Sequence, residues 1–247
     1  MKFILQKLSK PVLVLLGLAL FGVLRSPIED RLRDDLVEAN LLLPPPAQDV
    51  VQQMSQSALM GTLGGLRSIV STYLVLQAFE HFSNKEWEEL QRVYGIVCNL
   101  EPRDENHWRD VVWHIGINAT ANMEIDESLP AFERKRRFHE YALQAVEAAE
   151  KGIEQIPESV SIRMQLAEVY REKIKDNCAT ARVYKDIIGM DGAPEYVRRF
   201  HGYFLARCPG EETLAYDYLM ALYREGEQQR LPTLIKEIKT LEKKLQV

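Results

Sequence analysis

Residues 99–108 read "NLEPRDENHW", and this stretch decides how the chain is folded. Leu100 and Glu101 close one helix because Pro102 has no N–H to offer and its ring crowds the preceding turn. Asp104 is placed to cap a new helix that opens at Glu105, its carboxylate accepting from the first free backbone N–H groups. That helix carries Trp108, Val111, Val112, Ile115 and Ala119 at helical spacing. The helix before it carries Leu90, Val93, Tyr94 and Val97 on one face. Its start is expected near Lys85, with Asn84 as N-cap and Glu86, Glu88 and Glu89 at the positive end of the helix dipole. A second proline stop follows at Ile156-Pro157.

Between and beyond these stops the pattern is helical throughout. Helices are expected over about 131–156, 159–175, 178–189, 194–207, 211–226 and 232–245. The boundaries fall at Asp176-Asn177, Asp191-Gly192, Pro209-Gly210 and Leu231-Pro232, and no segment reads as a strand. The last helix sets Leu231, Leu234, Ile235, Ile238, Leu241 and Leu245 in one stripe, with Lys236, Lys239, Lys243 and Lys244 towards the other face. It reads as the polar cover of an end, with a partner or dimer helix as the alternative.

The stops recur in a register. Leu166, Ala167 and Tyr170 take the Leu, small and Tyr places of a 34-residue helical hairpin, with Ala179 and Val183 in its second helix. Ala145, Ala149 and Gly152 take the small places of the preceding second helix, which Pro157 closes. Trp87, Tyr94 and Pro102 fit an earlier second helix with Ala78 before it, and Trp108 takes the Trp place of the next unit. The chain therefore resembles the tetratricopeptide repeat family over about 71–226, and is similar to bacterial membrane-anchored repeat proteins. It departs from the pattern at Arg163 and Asp191, which hold the Trp and closing Pro places. The unit opening near Glu105 is about 21 residues longer than the standard 34, and the last unit keeps Phe200 and Phe204 but shifts its second helix. The resemblance implies an all-α, helical-hairpin (tetratricopeptide-like) solenoid occupying 50–230, with 231–247 as its cap. One hairpin cannot bury its apolar face alone, so neighbours must stack.

The N-terminus differs. Lys2, Lys7 and Lys10 precede an uncharged apolar run over residues 11–24. This reads as a signal-anchor or transmembrane segment over 1–25, left uncleaved because small residues are poorly placed for cleavage; a cleaved signal is the alternative. Residues 26–49 read as a stalk, helical over about 27–42, ending in the stiff spacer Pro44-Pro45-Pro46. The lysines before the run put the N-terminus in the cytoplasm and the remainder outside a bacterial inner membrane, in the periplasm. Residues 58–82 are also apolar, but Arg67 would cost roughly 2.5–3.5 kcal/mol near a bilayer centre, which favours a packed helix over a second span.

Composition narrows the function. Net charge is −5, from 31 Lys and Arg against 36 Asp and Glu, too acidic for a general nucleic-acid binder. The five histidines show no metal-ligand spacing, and no phosphate loop or nucleophile elbow occurs. No metal, cofactor or enzymatic activity is expected. The basic run "ERKRRFHE" over 133–140 reads as a solvated face. Three cysteines, Cys98, Cys178 and Cys208, lack the Cys-x-x-Cys spacing and suit small core places. Within the repeat register Cys178 and Cys208 fall on adjacent units, and in an exported domain they could form a disulfide. The repeat likeness implies a scaffold that binds a protein or peptide partner along the first helices of its hairpins. The matching positions are Asn106, Arg109 and Trp113, then Met164, Glu168 and Arg171, then Arg198. A structural subunit of an envelope complex, or an enzyme with a site assembled across helices, are the alternatives.

Overall fold

The computed structural model describes residues 10–39, 41–42, 51, 54 and 65–246, with the side chains of 10–20, 22, 24 and 26 outside that description. All regular structure among the described residues is helical. The chain divides into two compact units, Met1–Ala47 and Gln48–Val247.

Among the described residues the first unit contains one helix, α1 (Lys10–Glu38). Helix runs unbroken through Pro27 and stops at Glu38, short of the expected end near residue 42. Proline inside a helix removes one backbone bond, here the one that would reach the Val23 carbonyl, without forbidding helix on either side. Exposed ion pairs, Arg25 with Glu29 and Arg33 with Asp30, support the turns that follow. Among the described residues no helix is long and apolar enough to cross a membrane. The anchor reading rests on residues 11–24, most of whose side chains lie outside the described set, as do residues 58–64 of the apolar segment at 58–82.

The second unit begins its described helices with α2 (Arg67–Asn84) and α3 (Trp87–Leu100). α4 (Glu105–Trp113) continues through a π-helical turn (His114–Ala119) into α5 (Thr120–Ile125), and α6 (Ala131–Gln155) returns beside it. α7 (Val160–Glu168) runs into a second π-helical turn (Val169–Ile174) and is followed by α8 (Asn177–Ile187). α9 (Tyr196–Leu205), α10 (Glu212–Glu225) and α11 (Pro232–Leu245) complete the unit. Each helix packs chiefly on its chain neighbours, and α7 reaches back to α4.

The turns come in repeating kinds. α2 ends with Lys85 in the left-handed region at φ 59°, and the second π turn ends with Lys175 at φ 62°. The proline stops are also alike. Glu101 has φ −128° and ψ 66°, Ile156 has φ −133° and ψ 74°, and each donates back to the carbonyl four residues earlier. Asp104 and Ser159 then sit three residues on, each donating its N–H to Glu101 or Ile156 and capping the next helix. Asp104 caps as expected, accepting from the Asn106 N–H at 2.9 Å. Asn84 does not: it is the last residue of α2, because the left-handed Lys85 and the Glu86 N–H bond to the His81 carbonyl (2.9 Å) make a helix end there.

The residues of the opening stretch lock this junction. The Trp108 indole N–H donates to the Pro102 carbonyl at 2.9 Å, and its ring lies on Gly152 of α6, where a Cβ would stand 3.0 Å from it. Gly116, in the first π turn, is pressed between Ala145 and Val169, a Cβ there falling 2.8 and 2.9 Å from them. In the last hairpin Gly202 lets α9 meet α10, and Tyr184 packs on Phe200 and Phe204. Cys178 and Cys208 are joined by a disulfide with Cα atoms 5.0 Å apart, and Cys98 is a free buried thiol. Leu234, Ile238 and Leu241 of α11 are buried, whereas Leu231 of the expected stripe is exposed because it precedes the helix.

Gly202 gives a sharp expectation. A Cβ there would stand 2.4 Å from Cδ2 of Leu219, itself fully buried. Overpacking costs about 1–3 kcal/mol, against roughly 0.5–1 kcal/mol gained by replacing a helical glycine, so Gly202→Ala lowers stability in denaturant titration.

Candidate functional site

The residues implied by the repeat likeness lie on α4, α7, the second π turn and α9. Asn106 and Trp113 are exposed, and Arg109, Met164, Glu168, Arg171 and Arg198 are half-buried. The packing of α4 on α7 brings the first two groups into neighbouring hairpins. Met164 packs against the core. Arg198 is committed within its own hairpin, to Glu225 at 2.5 and 2.9 Å and to Glu195 at 3.2 Å. Arg171 Nε lies 2.9 Å from the Glu172 carboxylate but is not aligned to donate to it. Arg109 Nε is buried without a hydrogen-bond partner among the described residues.

A polar cluster unforeseen in the sequence sits at the first junction. Ser68 Oγ donates to Glu101 Oε1 at 2.7 Å, His107 Nε2 lies 3.0 Å from Glu101 Oε2 and 3.7 Å from Asp104 Oδ2, and Ser71 Oγ lies 3.4 Å from the same nitrogen. Glu101, Asp104 and His107 bring one donor atom each within 4.8 Å of one another, a spacing open to a metal ion. Their spacing at three-residue intervals was the available signal. As a serine relay the cluster fails, since Ser71 and Glu101 meet the same imidazole nitrogen, whereas a relay needs one on each. What it does is tie α2 to the junction. Burial raises the Glu101 pKa, but hydrogen bonds from Ser68, Ser71 and His107 outweigh it and hold the carboxyl below its usual range.

Part of the basic run at 133–140, Arg136 and Arg137, is paired within itself and by α3. Arg136 pairs with Glu133 and Glu140, Arg137 with Glu133 at 2.9 Å and Glu88 at 3.3 Å, and Tyr141 donates to Glu88 at 2.8 Å.

Between α3, α4 and α6 lies a cleft of about 370 Å³. Tyr94, Gly95, Cys98, Trp108 and Val111 form its floor. Rim charges are already answered, Arg92 by Glu89 at 2.8 Å and Lys151 by Glu147 at 2.7 Å. Burial, then the charge of Asp110, pushes the Tyr94 hydroxyl and the Cys98 thiol well up, so both stay protonated. The Cys98 thiol is therefore no thiolate nucleophile. Gln144 Oε1 is buried in the cleft wall without a hydrogen-bond partner among the described residues.

Gly95 is the telling residue. Gly116, Gly152 and Gly202 stand in helices where a Cβ would collide with a neighbouring helix; at Gly95, mid-helix in α3, nothing lies within 4 Å. Packing does not ask for this glycine, and a helical glycine costs about 0.5–1 kcal/mol relative to alanine. Its one structural effect is to leave the cleft floor empty. The arrangement suits a neutral apolar or aromatic group carrying an N–H for Gln144.

Two outcomes follow. Gly95→Ala raises stability by up to about 1 kcal/mol in thermal unfolding, opposite in sign to Gly202→Ala. For Glu101 the folded pKa is lowered, so its stabilisation is fully present above the unfolded value, near 4.3, and fades as pH falls through the folded value. Glu101→Gln is thus less stable than the parent at neutral pH, and the gap narrows as urea titrations move into the acid range. Compared with protein-family models, with curated proteins and with solved structures, the chain has no match.

Proposed function

We propose that the chain is a helical-repeat scaffold, built of tetratricopeptide-like hairpins, that binds a protein or peptide partner at the bacterial cell envelope. The repeat reading is supported by the near-identical backbone at Glu101 and Ile156 and at Lys85 and Lys175. Partner binding rests on one observation: the cleft beside Gly95 is kept open at a cost in helix stability that no described residue explains. An apolar or aromatic side chain of the partner enters the cleft, and a partner N–H meets Gln144. Asn106, Arg109 and Trp113 on α4 extend the contact along the first helices. In this reading residues 1–25 anchor the chain in the inner membrane and the repeats lie outside it. The Cys178–Cys208 disulfide supports an oxidising compartment.

A structural subunit of an envelope complex is the second reading. It draws on the exposed apolar ridge of α2, and holds only if nothing within the chain covers that ridge.

The test combines topology with site-specific capture. A reporter follows Val247, and a photo-reactive side chain replaces Gln91 on the cleft rim in living cells. The reading expects an exported reporter and a discrete adduct that disappears in Gly95→Leu, which fills the floor. A cytoplasmic reporter overturns the export, and an adduct indifferent to Gly95→Leu overturns the cleft.

A further inference from the structure

The two proline junctions share a backbone but not their side chains. Glu101 and Ile156 adopt nearly the same dihedral angles. At the second junction the places of Glu101, Asp104 and His107 hold Ile156, Ser159 and Ile162, and both isoleucines are buried. The turn therefore forms without a carboxylate at its first place or an imidazole at its third. Apolar residues avoid the loss of hydration that partly buried charges suffer. Yet the first junction sets Glu101 and His107 in these places, with side chains 21 and 14% exposed.

We propose that Glu101, Asp104 and His107 bind a divalent ion of the zinc class. Each carboxylate has one oxygen held by the protein and one turned towards the imidazole. Glu101 Oε1 accepts from Ser68 Oγ at 2.7 Å, and Asp104 Oδ1 accepts from the Asn106 N–H at 2.9 Å. Such partners orient the ligands of a metal site. The other atoms gather about His107 Nε2: Glu101 Oε2 at 3.0 Å, Asp104 Oδ2 at 3.7 Å and, from α2, the buried Ser71 Oγ at 3.4 Å. Two ligands bonded at roughly 2.1 Å to one tetrahedral ion stand about 3.4 Å apart. The observed separations straddle that value. A hydrogen-bonded pair accounts for Glu101 with His107 but not for Asp104 Oδ2, which lies beyond hydrogen-bond reach of the ring. Among the described residues no other three His, Cys, Asp or Glu side chains bring their donor atoms so close.

The donor set selects the ion. An imidazole nitrogen suits zinc and its transition-metal neighbours, whereas magnesium and calcium prefer oxygen ligands alone. Two carboxylates balance the charge of the ion. Three protein ligands leave a fourth place, open to Ser71 Oγ or to a water entering past Asp104, whose side chain is 39% exposed. The ion would pin the Pro102 turn to the first turn of α4 and, through Ser68, draw in α2. Histidine spacing did not show the site because both carboxylates precede the helix that carries the imidazole.

The test uses the full chain, untagged and stripped with a chelator. Calorimetric titration with Zn²⁺ is expected to show a single ion bound per chain at micromolar or lower concentration, and Co²⁺ in its place to give the visible absorption of a tetrahedral site. Asp104→Asn, which keeps a helix cap, and His107→Gln are each expected to weaken Zn²⁺ binding at least about tenfold. Zn²⁺ is also expected to slow amide exchange over 101–107 in the parent and in neither variant, while unchanged exchange in α8 to α11 shows that the variants are folded. No binding to the parent, binding equally tight in both variants, or displacement of Zn²⁺ by equimolar Mg²⁺ would each overturn the proposal.

Discussion

The packing of Trp108 on Gly152 is the contact on which the helix packing of the second unit depends. It joins α4, the junction before it and α6 in one place, since the indole N–H holds the Pro102 carbonyl while the ring covers a residue with no side chain. α6 then lies close to α4, and α7 follows from the second proline stop with the same backbone turn as the first. The spacing between helices is thus set by where glycine stands. Gly116 admits both Ala145 and Val169 at the π turn, and Gly202 admits Leu219. Fixed hard contacts of this kind leave the packed helices little freedom in register.

Against this background the cleft reads as a deliberate gap. Gly116, Gly152 and Gly202 are each matched by a neighbour that presses on them, and at Gly95 no described residue does so. The surrounding polar groups point the same way. Rim charges pair among themselves, and the hydroxyl and thiol of the floor remain neutral. Such a site suits an uncharged group.

The sequence carried the first junction because proline, a capping Asp and tryptophan act locally; the Ser159 cap of the second emerged only in the structure. Helix existence was legible for the same reason, and the α11 boundaries coincide with those read from Pro232 and Leu245. The Asn84 cap was misread because a lysine took up the left-handed conformation at Lys85, a choice made by the packing of α2 on α3 rather than by residue preference. Continuity through Pro27 escaped because one missing N–H is a small cost beside the turns around it. The cleft was illegible in principle: Gly95 reads like any interior glycine until neighbouring helices show that nothing touches it. Similarly, Glu101, Asp104 and His107 converge only because the Pro102 turn folds them together, and Ser68 and Ser71 join them from a helix more than thirty residues earlier.

The central claim is that the second unit is a stack of hairpins, each held by its neighbours, and not a single mutually dependent core. Residue-resolved amide exchange of the full chain carrying Gly152→Val tests it most directly, because a branched side chain there must displace Trp108. The stack predicts protection lost in α3 to α7 and retained in α9 to α11. Equal loss across all helices would contradict it.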